Sequence, residues 1–264
     1  MTYNYHTHTF RCNHATETER EYIETAIKGG ITHMGFSDHA PFIFPDGYES
    51  GFRVPTNLAN DYFSVLSALR KEYKDKISIH IGFEMECYPK YFKEMLKNVY
   101  ELGAEYLILG HHFTNSEHPG GTPSTAPTDS SDRLAEYADS VVRGIESGYF
   151  TYVAHPDIFN FTGDTKIYTQ EMRKICKASK YHNIPLEINF LGIRGNRHYP
   201  NEEFWKIAGK ENSPVTFGFD AHSAVDAYDA ESLLKAEELV RKYNLNYIGK
   251  PTVILLQDVY KPCK

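Results

Sequence analysis

Histidines and carboxylates recur in this chain at the ends of short apolar runs, and the first of them is His6-Thr7-His8. Two histidines two apart on extended chain project to the same side, because side chains alternate with a period of two. The residues before them, Met1 to Tyr5, are β-friendly types. Further along stand Asp38-His39 after Ile31–Phe36, Glu84 after Ile77–Phe83, and His111-His112 after Tyr106–Leu109. His155 follows Phe150–Ala154, Asn189 follows Pro185–Ile188, and Asp220 with His222 follows Val215–Phe219. Imidazoles gathered with carboxylates suit zinc, iron or manganese better than magnesium or calcium. So many ligands exceed one ion. A carboxylate bridging several ions is well suited to phosphate-ester hydrolysis.

Helices must lie between those runs. Thr16 and Glu19 have capping-box spacing and predict a helix to Lys28, ended by Gly29-Gly30. Further helices are expected over Leu58–Tyr73, Tyr91–Leu102, Asp132–Ser147, Thr169–Tyr181, Asn201–Gly209 and Asp229–Tyr243. Long loops run from Pro41 to Pro55 and from Thr114 to Ser131, another carries Arg194 and Arg197, and the tail from Asn244 reads as strand-like. Seven strand–helix units in a row predict an α/β fold with a parallel sheet covered by helices. They close most simply into a TIM-like barrel with its site at the C-terminal strand ends. An open doubly wound sheet would carry a glycine-rich loop after its first strand, and none is present.

The whole chain of 264 residues reads as one barrel-sized domain. Its net charge of −7 gives no basic face for nucleic acid, and no run of 18 apolar residues predicts a membrane span. Cys12, Cys87, Cys176 and Cys263 are scattered without a CxxC pair, as expected of reduced thiols in a cytoplasmic protein.

Taken in order, His6-Thr-His8, Ser-Asp-His39, Gly-Phe-Glu84, Gly-His-His112-Phe, Ala-His155-Pro and Phe-Asp220-Ala-His222 resemble the motifs of the PHP (polymerase and histidinol phosphatase) superfamily. The resemblance spans residues 3 to 222 and is nearest to the stand-alone histidinol-phosphatases. It implies a distorted (β/α)7 barrel holding three divalent ions, zinc, iron or manganese. His6, His8, Glu84 and Asp220 would hold the first, and Glu84 would bridge to a second held by His112 and His155. His14, His39 and His222 would hold the third, with Cys12 a bystander. Of the adjacent pair, His112 is the implied ligand rather than His111; Glu86 is left beside the site or at the surface. His33, His80, His118, His182 and His198 have no part in the match.

The implied reaction hydrolyses a phosphomonoester, L-histidinol phosphate above all, by attack of a metal-bridging hydroxide, with Glu84, Asp220 and His222 as the catalytic set. Arg194 or Arg197 could clamp the phosphate through paired N–H donors. The arginine that the family pattern expects after the fifth strand is absent from Ile158-Phe-Asn-Phe-Thr-Gly. Alternatives are another small phosphorylated metabolite or nucleotide, or a barrel that binds metal without catalysis. Oligomeric state is not legible.

Overall fold

The strands begin where short runs of Tyr, Ile, Leu and Phe can be buried on both faces. The computed structural model describes residues 1–118 and 120–261. Strands β1 (Tyr3–Asn4), β2 (His33–His39), β3 (Ser78–Met85) and β4 (Leu107–Leu109) form one parallel sheet in that order. A small antiparallel hairpin, β5 (Phe113–Thr114) with β6 (Thr122–Pro123), lies within the long loop after β4. Strands β7 (Leu186–Asn189), β8 (Pro214–Gly218) and β9 (Asn246–Tyr247) form a second parallel group.

Two seams join the groups. Residues 150–154, expected as a full strand, make isolated parallel bridges at Val153 to Leu109 and to Leu186. Leu109 N–H donates to Tyr152 O at 2.9 Å and Glu187 N–H to Val153 O at 2.9 Å. At the other seam Thr7 bridges Ala221, with His8 N–H on Ala221 O at 3.0 Å. The result is the distorted seven-stave barrel that the element order predicts. Inside it Tyr3, Tyr5, Tyr106, Ile108 and Tyr152 pack together. Tyr106 Oη donates to Tyr5 O at 2.8 Å, so the buried hydroxyl is partnered.

The staves are covered by α1 (Glu19–Lys28), α2 (Ala59–Glu72), α3 (Phe92–Glu101), α4 (Ser131–Ser147), α5 (Thr165–His182), the short α6 (Phe190–Arg194), α7 (Glu202–Glu211), α8 (Ala230–Tyr243) and the terminal turn α9 (Leu256–Val259). Each long helix buries one stripe. In α4 it is Leu134, Tyr137, Ala138, Val141 and Ile145, and burying each large apolar side chain is worth about 1.5–3 kcal/mol. Ser130 caps its start, and Gly148 ends it at φ 74°, a conformation that favours glycine.

Some boundaries move, for local reasons. Helix α1 starts at Glu19, not Thr16, because Glu21 accepts both the N–H and the hydroxyl of Thr18 at 2.8 Å. Thr16 is held elsewhere, its N–H on His222 O at 2.9 Å. Helix α5 starts at Thr165, because Asp164 caps it through Lys166 N–H at 2.6 Å. Strand β2 runs on to His39, so Asp38 and His39 are strand residues. Cys12, Cys87 and Cys176 are free and buried, and Cys263 lies outside the described residues.

Candidate metal centre

The site is built around Glu84, at the end of β3 and 1% exposed. Its Oε2 faces His6 Nε2 at 3.5 Å, His8 Nε2 at 3.6 Å and His39 Nδ1 at 3.3 Å. Its Oε1 faces His112 Nε2 at 3.3 Å and His155 Nε2 at 2.9 Å. The two oxygens thus serve two different groups of imidazoles. Asp220 Oδ1 lies 3.5 Å from His6 Nε2, 3.2 Å from His8 Nε2 and 3.2 Å from His222 Nδ1. At the mouth, exposed His14 is held by Cys12 O on Nδ1 at 2.6 Å and groups with His39 and His222. All nine residues expected as ligands therefore converge. The ligand atoms of His6, His8 and Glu84, of His39, Glu84 and His112, and of His14, His39 and His222 lie close enough to share an ion.

The chemistry of this donor set fits divalent metal. His6 Nε2, His8 Nε2, His39 Nδ1, both Glu84 oxygens and Asp220 Oδ1 are buried without a hydrogen-bond partner among the described residues. Each such orphan costs about 1–3 kcal/mol, so together they call for something to coordinate. The charge balance agrees. Burial works against charging His6 and His112, yet neighbouring carboxylates hold both up at about 10. Glu84 and Asp220 sit well below the usual carboxylate range in spite of burial, because of the imidazoles around them.

Behind the imidazoles stand three carboxylates that set their orientation. Glu187 Oε1 meets His6 Nδ1 at 2.8 Å, Asp38 Oδ1 meets His8 Nδ1 at 3.4 Å, and Glu86 Oε1 meets His112 Nδ1 at 2.8 Å. A carboxylate on one ring nitrogen fixes the tautomer and leaves the other nitrogen free to bind metal. Glu187 also takes His155 N–H on Oε2 at 3.0 Å and Asn189 Nδ2 at 2.9 Å. That anchors a strained point, for His155 has φ 31° and Asp220 φ 47°, both in the left-handed region. Such backbone costs about 1–3 kcal/mol and persists where its surroundings enforce it.

The PHP domain family pattern matches residues 4–190, well over half of the chain. The chain belongs to the PHP domain family. It is 24% identical over 225 residues to the probable histidinol-phosphatase of Deinococcus radiodurans, covering 82% of this chain and 85% of that one. It is 26% identical over 257 residues to the histidinol-phosphatase of Lactococcus lactis, covering 90% of each, and 26% identical over 259 residues to that of Bacillus subtilis, covering 85% and 96%. In fold it is similar to the crystal structure of histidinol phosphate phosphatase from Lactococcus lactis complexed with zinc, L-histidinol and phosphate, with TM-score 0.73 at 20% identity over 98% of this chain and 99% of that one.

A cavity of about 500 Å³ opens over this PHP centre. Its floor is His8, His14, His39, Glu84, His112, His155, Asp220 and His222, and its walls include Phe52, Phe113, Leu191, Tyr199 and Arg197. The two candidate arginines part company here. Arg197 lines the cavity, with Nη1 on Tyr199 Oη at 2.9 Å. Arg194 turns away: Nη1 and Nη2 donate to Phe219 O at 2.7 Å and Asp220 O at 2.6 Å, while Nε meets Asp226 at 3.2 Å. Its forked donors brace the turn that carries Asp220 and are spent there, so it is removed from the phosphate clamp expected for it.

His111 is 2% exposed, packs on Tyr88 and Tyr137, and is pushed down to about 4 by burial. It faces away from the cavity, as adjacent residues on extended chain must. His118 pairs with Asp46 at 2.7 Å and His198 with Ile158 O at 2.7 Å, both apart from the centre. Glu187 is the residue that reading by strand ends passes over. A carboxylate inside the apolar run Leu186–Ile188, on the same face as Asn189, signals a buried partner. Asn189 is no ligand candidate, since its Oδ1 caps α6 through Gly192 N–H at 3.0 Å and its Nδ2 holds Glu187 and Asp220.

Proposed function

We propose that this PHP protein is a metal-dependent phosphomonoesterase that hydrolyses L-histidinol phosphate to L-histidinol and phosphate. The observation that carries the reading is Glu84, whose two oxygens face five imidazoles at 2.9 to 3.6 Å beneath an open cavity. Three ions are assigned as the motifs imply: His6, His8, Glu84 and Asp220 for the first; Glu84, His112 and His155 for the second; His14, His39 and His222 for the third. Bound divalent ions would supply Lewis acidity toward the phosphoryl oxygens and a water acidic enough to be a nucleophile near neutral pH.

The protein's own residues do the rest. Glu84 and Asp220 hold negative charge rigidly at the floor, with His222 stacked 4.1 Å from His8 at its edge. Arg197 is placed to bind a phosphoryl oxygen from the wall, where a guanidinium favours the charge that gathers in the transition state. Phe52 and Phe113, stacked at 5.7 Å, offer a flat apolar surface to an imidazole-bearing leaving group. A second reading, another small phosphomonoester, is favoured by Arg197 being the lone guanidinium or ammonium among the described lining residues.

The test is phosphate release from a panel of monoesters by protein stripped with chelator and reloaded with zinc, manganese or iron. Activity that returns with metal and favours histidinol phosphate over other amino-alcohol, sugar and nucleotide phosphates supports the proposal. A flat or different profile selects the second reading. No turnover of any ester by fully loaded protein would sink both. Elemental analysis is expected to find three ions per chain.

A further inference from the structure

Arg53 lies outside the ligand set, yet it is 2% exposed and all three of its guanidinium nitrogens are in use. Nη2 donates to Glu86 Oε2 at 2.6 Å, Nε to Glu117 Oε1 at 2.6 Å, and Nη1 to Ala40 O at 2.9 Å. Ser50 Oγ adds a second donor to Glu117 Oε1 at 2.9 Å. The other oxygen of Glu86 accepts His112 Nδ1–H at 2.8 Å, and His112 Nε2 faces Glu84. A single guanidinium thus ties together three separate parts of the chain: the loop after β2, the loop that holds the β5–β6 hairpin, and the end of β3.

Those two loops are also the aromatic wall of the cavity. Phe52, next to Arg53, lies under its guanidinium at 4.9 Å and meets His39 edge-on at 5.2 Å. It stacks on Phe113 from the other loop at 5.7 Å. A buried ion cluster is a costly way to hold two loops, because each desolvated charge costs several kcal/mol and apolar packing does as well. Apolar packing could not receive the His112 N–H in one direction. The charges are explained by orientation rather than by adhesion.

We propose that Arg53 is a positioning residue with two separable outputs. Through Glu86 it holds the His112 ring toward the metal, and through Glu117 it holds the Phe52–Phe113 wall against the leaving group. The second output rests on the phosphomonoesterase reading above; the first does not.

The experiment compares Arg53→Met, Arg53→Lys, Glu117→Gln and Glu86→Gln with wild type in two assays. One is the rate at which loaded protein gives up metal to a chromogenic chelator, which needs no turnover. The other is KM and kcat for histidinol phosphate, or for whichever ester of the panel wild type turns over best. Glu117→Gln is expected to raise KM roughly tenfold and keep metal release within about twofold of wild type. Glu86→Gln is expected to speed metal release by roughly 10–100-fold. Arg53→Met should do both, and Arg53→Lys, which keeps the charge but loses the fork, should restore part of the metal retention. Circular dichroism and melting curves confirm that each variant is folded. If Arg53→Met does not fold, Arg53→Lys and Glu117→Gln decide the matter. Wild-type metal release in a folded Arg53 variant overturns the first output, and an unchanged KM in Glu117→Gln overturns the second. Loss of activity toward every ester in wild type itself would fail the functional reading and leave the metal-release result standing.

Discussion

Gly110 and Glu84 fit together with no room for one further carbon. A Cβ on Gly110 would stand 2.1 Å from Glu84 Oε1 and 2.7 Å from His112 Cε1. The strand end after β4 therefore passes flush against the carboxylate at the middle of the centre, and only a residue without a side chain allows that approach. Gly110→Ala is expected to push Glu84 off its imidazoles, lowering kcat at least about a hundredfold and loosening metal, while the circular dichroism stays that of wild type. Activity within a few-fold of wild type would show that Glu84 can shift at no cost.

Glu84→Ala should abolish turnover, because both groups of imidazoles lose their shared carboxylate. His111→Ala should leave kcat and metal content near wild type, since His111 faces Tyr88 and Tyr137 and not the cavity. Its effect is on stability, read from denaturant unfolding: the emptied space costs, and losing two buried ring nitrogens that have no partner among the described residues offsets part of that cost. Near-wild-type rates for Glu84→Ala would falsify the bridging role.

Glu187→Gln keeps the shape but weakens the acceptor for His6 Nδ1–H. Metal affinity or activity is expected to fall roughly 10–100-fold. Titration of stripped protein with zinc, followed by a competing chelator dye, measures it. An unchanged affinity would reduce Glu187 to a brace for the backbone at His155.

Arg197 and Arg194 should separate cleanly. Arg197→Met is expected to raise KM about tenfold or more with the melting temperature unchanged, because the side chain is exposed and lines the cavity. Arg194→Met should instead lower the melting temperature, as Phe219 O and Asp220 O lose their donors. The opposite pattern would return Arg194 to the phosphate.

Glu105, remote from the centre, gives a pH test of stability. Partial burial would raise its carboxyl, but His80, Arg70 and the Ile81 N–H outweigh this and hold it below its ordinary value of 4.5. A carboxyl lowered in the folded state stabilises above its unfolded value, and that stabilisation is lost as pH falls through the folded value. Glu105→Gln should therefore cost stability at pH 7, by under about 1 kcal/mol because the pair is partly exposed, and that cost should shrink as the pH is lowered through the folded value. Urea titrations of both proteins at pH 7 and in acid check it, and a gap that stays undiminished in acid would refute it.

How much of this was readable in advance depends on how far apart the interacting residues are. Apolar runs and the period of two are local, so the strand ends and eight of the nine residues that converge there could be read directly from the chain. The family motifs placed His14, which no strand end would reveal. Local reading faltered where a side chain could choose between neighbours: Thr18 in place of Thr16 at the start of α1, and Asp164 at the start of α5.

The sequence by itself determined which atoms could bind metal, because ligand chemistry belongs to residue type and strand alternation decides which side those residues share. Tertiary structure alone decided who stands behind them. His6 finds Glu187 across 181 residues of chain, and Arg53 finds Glu117 across 64. It also decided that Arg194 braces a turn while Arg197, three positions on, faces the cavity, and that residues 150–154 close the barrel through single bridges. Such pairings follow from closing a sheet into a ring, which brings together side chains that no local pattern couples.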